Sequence, residues 1–167
     1  MTTKLHSLKF LAIGIATLLT ASCGSKKSAP SGQNMIARMQ VEEPIPGVCD
    51  NDNVLALSIM SFMDPAAIDA KCAISEEEMA DQLNEELQFL KENPDFKGEG
   101  MMSIIVNCEG EAVKISVDNE SKSPELDAQI LAIFETFTSW EPGTYNGKPV
   151  DSVQLFSYKV KDGVLEM

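Results

Sequence analysis

Apolar residues in the second half of the chain follow first a helical and then a strand spacing. Ser75-Glu76-Glu77-Glu78 matches a capping box, in which the serine and the third glutamate satisfy free backbone N–H groups, so a helix should begin there. Asn93-Pro94 should end it. One apolar stripe at spacings of four, four and three supports this helix: Met79, Leu83, Leu87 and Leu90.

Strict alternation then predicts a β-hairpin with one buried face. The first strand carries Met102, Ile104 and Val106, and a turn at 107–110 separates it from the second. The second strand alternates Val113, Ile115 and Val117 with polar residues.

A second helix and a last strand complete the pattern. Ser123-Pro124 offers a cap followed by proline at the first helical position, and apolar residues recur at helical spacing up to Phe137. After the turn-rich stretch 140–149, Val150 to Val160 alternates as a strand. The predicted class is α+β: a small antiparallel sheet, in the order helix, strand, strand, helix, strand, with a helix packed on one face.

Residues 35–74 lack such a pattern and are expected to form an irregular extension to a domain at 75–167. Pro44, Pro46 and Gly47 interrupt regular structure. The acids from Asp50 resemble the start of a calcium loop, but the glycine and bidentate glutamate of an EF-hand are missing, so no metal is expected. The apolar run from Val54 to Met63 fits either a buried strand or a short helix.

The first 22 residues resemble a secretory signal. Lys4 and Lys9 precede the apolar run from Phe10 to Leu19, which is shorter than the roughly 20 residues needed to cross a bilayer. The run leads into Leu19-Thr20-Ala21-Ser22-Cys23, which resembles a bacterial lipobox, although Thr20 departs from the usual leucine. Lipidation at Cys23 is therefore predicted, and an ordinary cleaved signal with a nearby cysteine is the alternative.

Residues 23–34 are rich in Gly, Ser and Pro and are expected to act as a flexible tether. In lipoproteins, Gly rather than Asp after the lipidated cysteine favours the outer membrane. The predicted location is the periplasm, with the chain anchored to a membrane, and Gly24 favours the outer one.

Charge and histidine content narrow the function. The chain has 13 basic and 26 acidic residues, and loss of Lys4 and Lys9 with the signal leaves 11 against 26, a net charge of −15. Such a surface repels nucleic acid and anionic lipid, so no nucleic-acid partner and no membrane contact beyond the lipid anchor are expected. The only histidine is His6, so imidazole-dependent catalysis and metal binding are excluded from the mature chain. We expect no enzymatic activity and no cofactor.

Three cysteines remain after Cys23, which allows one disulfide in an oxidising compartment and leaves one thiol. Three pairings are possible. The predicted pair is Cys49 with Cys72, because both lie in the irregular segment, whereas Cys108 lies in a hairpin turn already held by strand pairing.

The segment from about Ala80 to Val160 resembles the carboxy-terminal domain family of TonB. The resemblance rests on an aliphatic strand and glycine turn at 104–110, and on Ser123-Pro124-Glu125-Leu126-Asp127 at the second helix. Its most specific part contains the residues Trp140, Pro142, Gly143, Asn146, Gly147, Lys148 and Pro149. These motif residues are interpreted as scaffold.

The resemblance implies a sheet in the order second, first and last strand, with the last strand as an open edge. In TonB that region receives a peptide of an outer-membrane transporter by strand addition. The expected partner is accordingly an envelope protein or peptide, and an outer-membrane transporter is the example that the resemblance suggests. The implied partner-binding residues are Val153, Gln154, Leu155, Phe156, Ser157 and Tyr158.

The chain also departs from TonB, because its N-terminal helix should be cleaved and its tether reaches at most about 40 Å. An adaptor that binds an envelope protein is therefore predicted. The alternatives are a structural lipoprotein, whose edge pairs with a second copy or with its own segment from Met35 to Lys71, a component of energy-coupled transport, and an enzyme of unrecognised type.

Overall fold

The structure is a computed structural model that describes residues 38, 39 and 41–167. The predicted signal at 1–22, the lipidation site Cys23 and the tether at 23–34 lie outside these residues. Within them, in chain order, the elements are α1 (Leu57–Ser61), β1 (Ala67–Ile68), β2 (Lys71–Cys72), α2 (Glu76–Glu86), α3 (Gln88–Glu92), β3 (Gly98–Val106), β4 (Ala112–Asn119), α4 (Pro124–Phe134), β5 (Trp140–Glu141), β6 (Thr144–Tyr145), β7 (Lys148–Pro149), β8 (Ser152–Lys161) and β9 (Val164–Glu166).

A four-stranded antiparallel sheet organises the fold, in the order β4-β3-β8-β9. Strand β3 lies centrally and pairs with β8 without interruption from Gly98↔Val160 to Val106↔Ser152. The α+β class is confirmed, as is the small antiparallel sheet with helices on one face.

The main core lies between this sheet and helices α2, α3 and α4. Side chains at alternate positions of β3 and β8 point into it, among them Ile104 and Phe156. Phe134 of α4 packs on both Phe137 and Phe156. Burial of aromatic and aliphatic surface of this kind is the main stabilising contribution to the fold.

Both predicted helix starts have side-chain caps. Ser75 Oγ accepts from the Glu78 N–H, while the Glu78 carboxylate accepts from both the N–H and the hydroxyl of Ser75. The two bonds to the carboxylate lower the pKa of Glu78. Ser123 caps α4 through the Leu126 N–H. The first predicted helix is broken at Leu87, whose ψ of 101° is extended, so α2 and α3 are separate. Leu87 is nevertheless buried with the rest of the stripe.

The segment before α1 covers part of the opposite face of the sheet. Ile45 and Val54 pack there against Ile105 of β3 and Val153 of β8. Residues 41–56 are therefore part of the same folded unit as the sheet, although most of them form no helix or strand.

The apolar run from Val54 to Met63 forms the short helix that its pattern allowed, and in place of a strand it has a single bridge residue, Leu55. Leu55 forms single bridges to Arg38 and to Ser152, and the short helix α1 follows. Leu57 and Met60 of α1 pack with Leu55 and with Ala67 of β1 in a second, smaller cluster. Strand β1 in turn pairs with β6 in a three-stranded sheet, β1-β6-β7.

The predicted disulfide between Cys49 and Cys72 is wrong, because Cys49 is bonded to Cys108. The pairing follows from the position of the N-terminal segment, which lies against the hairpin turn that carries Cys108. Cys72 is a free, buried thiol on β2, opposite Trp140 of β5. The disulfide thus joins the N-terminal extension to the hairpin turn, although strand pairing already holds that turn.

Within the part of the chain that the structure describes, no helix has both the length and the apolar character to cross a bilayer.

Candidate binding edges and buried carboxylates

The predicted partner-binding residues on β8 divide between two faces of the sheet. Gln154, Phe156 and Tyr158 are buried on the face covered by the helices. Val153 is buried on the opposite face beneath the N-terminal segment. Of these six residues, only Leu155 and Ser157 have exposed side chains, and the other four are buried.

The expectation that the last strand is an open edge along its whole length is wrong at both ends. At one end Leu55 donates to the Asp151 carbonyl and accepts from the Val153 N–H, each at 2.9 Å. At the other end β9 pairs with Lys159 to Lys161. Two parts of the chain thus cover the ends of the edge that the resemblance left free. One is the β8–β9 hairpin, closed by Asp162-Gly163, and the other is Leu55 of the extension.

The backbone groups that remain open on β8 follow from strand geometry. In an antiparallel strand the N–H and C=O of one residue point to the same side, and the side alternates along the chain. The Val153 N–H donates to Leu55, away from β3, so the backbone N–H and C=O groups of Leu155 and Ser157 also point away from β3. On that outer side, these two residues have no pairing strand among the described residues. A gap of two residues is short for strand addition.

Strand β4 offers the longer free edge, because among the described residues its outer side has no paired strand along all eight residues, Ala112–Asn119. Leu155 lies opposite Ser103, and Ser103 lies opposite Ser116. Because the backbone N–H and C=O of Leu155 point away from β3, those of Ser103 point away from β8 and towards Ser116. The N–H and C=O groups of Ile115 and Val117, which flank Ser116 on β4, are therefore directed outward. Within the described residues no strand pairs with this side of β4.

An open groove runs along this edge between β4 and the end of α4. Its volume is about 540 Å³, and it is lined by Glu111, Ala112, Val113, Lys114, Ile115, Glu135 and Thr138. The backbone of β4 forms one wall, and Glu135 and Thr138 follow α4 on the other side. An extended segment placed here would meet both unpaired backbone groups and side chains of mixed polarity.

Asp151 is a buried carboxylate that joins three parts of the chain. Its Oδ1 accepts from the N–H groups of Cys49 at 3.0 Å and Cys108 at 3.1 Å, and its Oδ2 accepts from Asp50 N–H at 2.7 Å. The two sulfurs beside it are bonded to each other, so they cannot act as thiolate ligands. The arrangement fixes the extension and the hairpin turn to the start of β8, and it has a structural rather than a metal-binding geometry.

A second buried carboxylate, Asp127, serves the loop before α4. It accepts from the Ser121 N–H at 3.1 Å and from the Tyr158 hydroxyl at 3.1 Å. Burial raises the pKa of Tyr158, and the neighbouring Asp127 raises it further. Gly100 lies against the Tyr158 ring, where an added Cβ would collide with it. The hydroxyl is therefore held as a donor inside the fold.

Asp69 differs from these two, because its Oδ1 is buried without a hydrogen-bond partner in the described structure. Burial raises the pKa of this carboxyl, and the nearby Gln154 side chain lowers it by a smaller amount. The Gln154 amide itself donates only a long bond of 3.5 Å, to Ser152 Oγ. This is the least satisfied polar cluster of the described chain.

The scaffold motif lies at the junction of the small sheets with the core. Trp140 packs on Phe156, and its Nε1 donates to the Phe137 carbonyl. Asn146 and Gly147 have φ values of 53° and 72° and form the tight turn between β6 and β7. The other motif residues lie in and around these short strands: Pro142, Gly143, Lys148 and Pro149.

The sequence reasoning missed the roles of Leu55 and Asp151. Asp151 gave one available signal, since it is an acidic residue at the entrance to an otherwise apolar and alternating strand. Leu55 gave none, because a single bridging residue has no periodicity.

Comparison of the chain with protein-family models, with curated proteins and with solved structures finds no match to any of them.

Proposed function

We propose that this chain is a non-enzymatic lipoprotein of the bacterial cell envelope, anchored by lipid at Cys23, which binds an extended segment of an envelope protein by strand addition. The observation that carries the proposal is the free edge of β4. It presents unpaired backbone groups at Ile115 and Val117 next to a groove.

The β4 edge fits this role better than the β8 edge. Strand addition needs a row of backbone donors and acceptors, and β8 keeps only Leu155 and Ser157 between Leu55 and β9. The outer side of β4 has no paired strand among the described residues along the whole of Ala112–Asn119. The side chains of Ile115 and Val117 are partly buried against the core, so β4 is held rigidly while its outer backbone stays available.

The charge of the chain restricts the segment that would bind. The groove contains Glu111 and Glu135 against Lys114, and the predicted mature chain is acidic throughout. An acidic segment would be repelled, so the binding segment is neutral or basic and extended.

Photo-crosslinking in intact cells tests the proposal. A photoreactive residue at Thr138, beside the groove, should give an adduct with one envelope protein. Matched positions are Ser157 in the β8 gap and Glu92 at the exposed end of α3. An adduct at Ser157 and not at Thr138 would move the binding site to β8, against the proposal.

Lipidation is tested separately. Cys23→Ala should move the protein out of the membrane fraction, because the apolar run before it is too short to span a bilayer. Wild-type protein recovered as soluble material that begins at another residue would contradict the anchor.

A structural lipoprotein without a peptide ligand is the second candidate. It is favoured by the coverage of β8, where the chain's own Leu55 occupies an edge that a partner would otherwise use. Absence of any adduct at Thr138 and Ser157 in a correctly anchored protein would support this candidate.

A further inference from the structure

Three apolar side chains protrude together from helix α1 and the turn after it. Ile59 is 42 %, Phe62 91 % and Met63 71 % exposed. They are spaced i, i+3 and i+4, so they lie on one side of the helical turn, opposite the buried Leu57 and Met60. We call these three residues the apolar tip.

The stretch of chain that carries the apolar tip has no ionisable residue. No residue from Val54 to Met63 is ionisable in a chain with 26 acidic residues. The next acid, Asp64, is engaged inward, since its carboxylate accepts from the Ala66 N–H at 2.9 Å and from the Tyr145 hydroxyl at 3.1 Å. Ile68, on the strand that packs against α1, adds a further exposed apolar side chain.

The point at which the chain enters the described structure lies close to the apolar tip. Arg38 bridges Leu55, and Met39 donates to the Val54 carbonyl at 2.9 Å. Leu55 precedes α1 by two residues. The covalent path from Cys23 comprises residues 24–37, which can span at most about 50 Å. Lipid attached at Cys23 would therefore keep α1 within reach of the bilayer.

We propose that the apolar tip inserts into the interfacial region of the bilayer that holds the lipid at Cys23, and so orients the domain on the membrane. This departs from the expectation, drawn from the net charge alone, of no membrane contact beyond the lipid anchor. This inference rests on the proposed lipidation of Cys23. The acidic remainder of the domain opposes adsorption to anionic lipid, so the contact is with a zwitterionic surface and is made through the uncharged tip alone.

The size of the apolar tip favours a bilayer over a protein partner. A stable protein interface buries roughly 1,200 Å² or more and uses 20 or more residues on each side, which three protruding side chains do not supply. A bilayer needs no complementary shape, and a modest apolar contact adds to an existing lipid anchor as the second membrane signal.

Bromine quenching of tryptophan fluorescence tests the insertion. The full chain is produced in a bacterium that processes lipoproteins, purified in detergent, and reconstituted into phosphatidylcholine vesicles that contain lipid brominated on its acyl chains. Phe62→Trp places the probe at the apolar tip. Val164→Trp is the matched control, because Val164 is also an exposed apolar residue, on β9, and Trp140 gives the same buried background in both proteins.

We expect the added fluorescence of Phe62→Trp to be quenched at least about threefold more than that of Val164→Trp, with both proteins floating with the vesicles. Flotation with equal quenching of the two overturns the insertion and leaves the lipid anchor standing; the tip would then face protein. Failure of both proteins to float overturns the anchor, and the insertion with it.

Discussion

At the scale of single residues, three carboxylates with buried oxygen atoms differ in whether those oxygens accept hydrogen bonds. Asp151 and Asp127 are each satisfied by hydrogen bonds from the backbone or from a hydroxyl, whereas Asp69 has a buried oxygen without a partner. A satisfied carboxylate stabilises the fold, and an unsatisfied one costs free energy. The two kinds therefore give opposite predictions.

Asp151→Asn should lower the free energy of unfolding by about 1 to 3 kcal/mol, because an amide has one acceptor oxygen and its NH₂ group would face a backbone N–H. Chemical denaturation monitored by circular dichroism measures the change. Asp52→Asn, at an exposed residue of the same segment, is the control and should change stability by less than about 0.5 kcal/mol. Equal effects of the two substitutions would show that Asp151 is not a structural clamp.

The contribution of the Asp69 carboxyl to the free energy of unfolding should rise as the pH falls. Its pKa is raised in the folded protein, so the folded state takes up a proton at a pH where the unfolded state does not, and stability is lost again as the pH rises through that folded pKa. Asp69→Asn should remove this contribution and be more stable than wild type at pH 7.5, by less than about 1 kcal/mol.

Denaturation at pH 7.5 and pH 5 compares the two proteins, and the advantage of Asp69→Asn should shrink at the lower pH. The comparison cancels Glu78, whose lowered pKa acts in the opposite direction in both proteins. An advantage that grows on acidification would contradict a raised pKa at Asp69.

At the scale of elements, local patterns predicted the helices and the hairpin, and long-range contacts decided the rest. The caps at Ser75 and Ser123 and the alternation of β3 and β4 are local chemistry, so the sequence could predict them. The Leu55 bridge, the short strand β9 and the pairing of Cys49 with Cys108 depend on residues far apart in the chain. No period or motif encodes such contacts.

The disulfide closes the N-terminal extension onto the hairpin. Its sequence separation of 59 residues corresponds to a stabilisation of about 4 kcal/mol in the chain-entropy model. Replacing Cys49 and Cys108 with serine should lower the free energy of unfolding by up to about that amount and loosen the contacts of Ile45 and Val54 with the sheet.

Denaturation with and without a dithiol reductant measures the effect. Cys72→Ala is the control: it should remain sensitive to the reductant, whereas the double serine variant should not. Non-reducing peptide mapping that finds Cys72 in the bridge would contradict the pairing.

At the scale of the whole molecule, the extension changes which edge of the sheet is available. The resemblance to the TonB family implied an open last strand, but Leu55 and β9 flank that strand and leave β4 as the longer free edge. The extension thus covers part of one face of the sheet and shortens the free edge of β8. It also brings the apolar tip next to the point where the described chain begins. Binding at β4 leaves each of these contacts undisturbed.

Amide hydrogen exchange of Ile115, Val117, Leu155 and Ser157 tests binding at the β4 edge most directly. In the free lipoprotein all four amides should exchange rapidly, since the N–H of each points to the outer side of its strand, where the described residues supply no pairing strand. Addition of the envelope protein captured at Thr138 should slow exchange at Ile115 and Val117 by about tenfold or more and leave Leu155 and Ser157 unchanged. Slowing at Leu155 and Ser157 alone, or at none of the four, would contradict strand addition at β4.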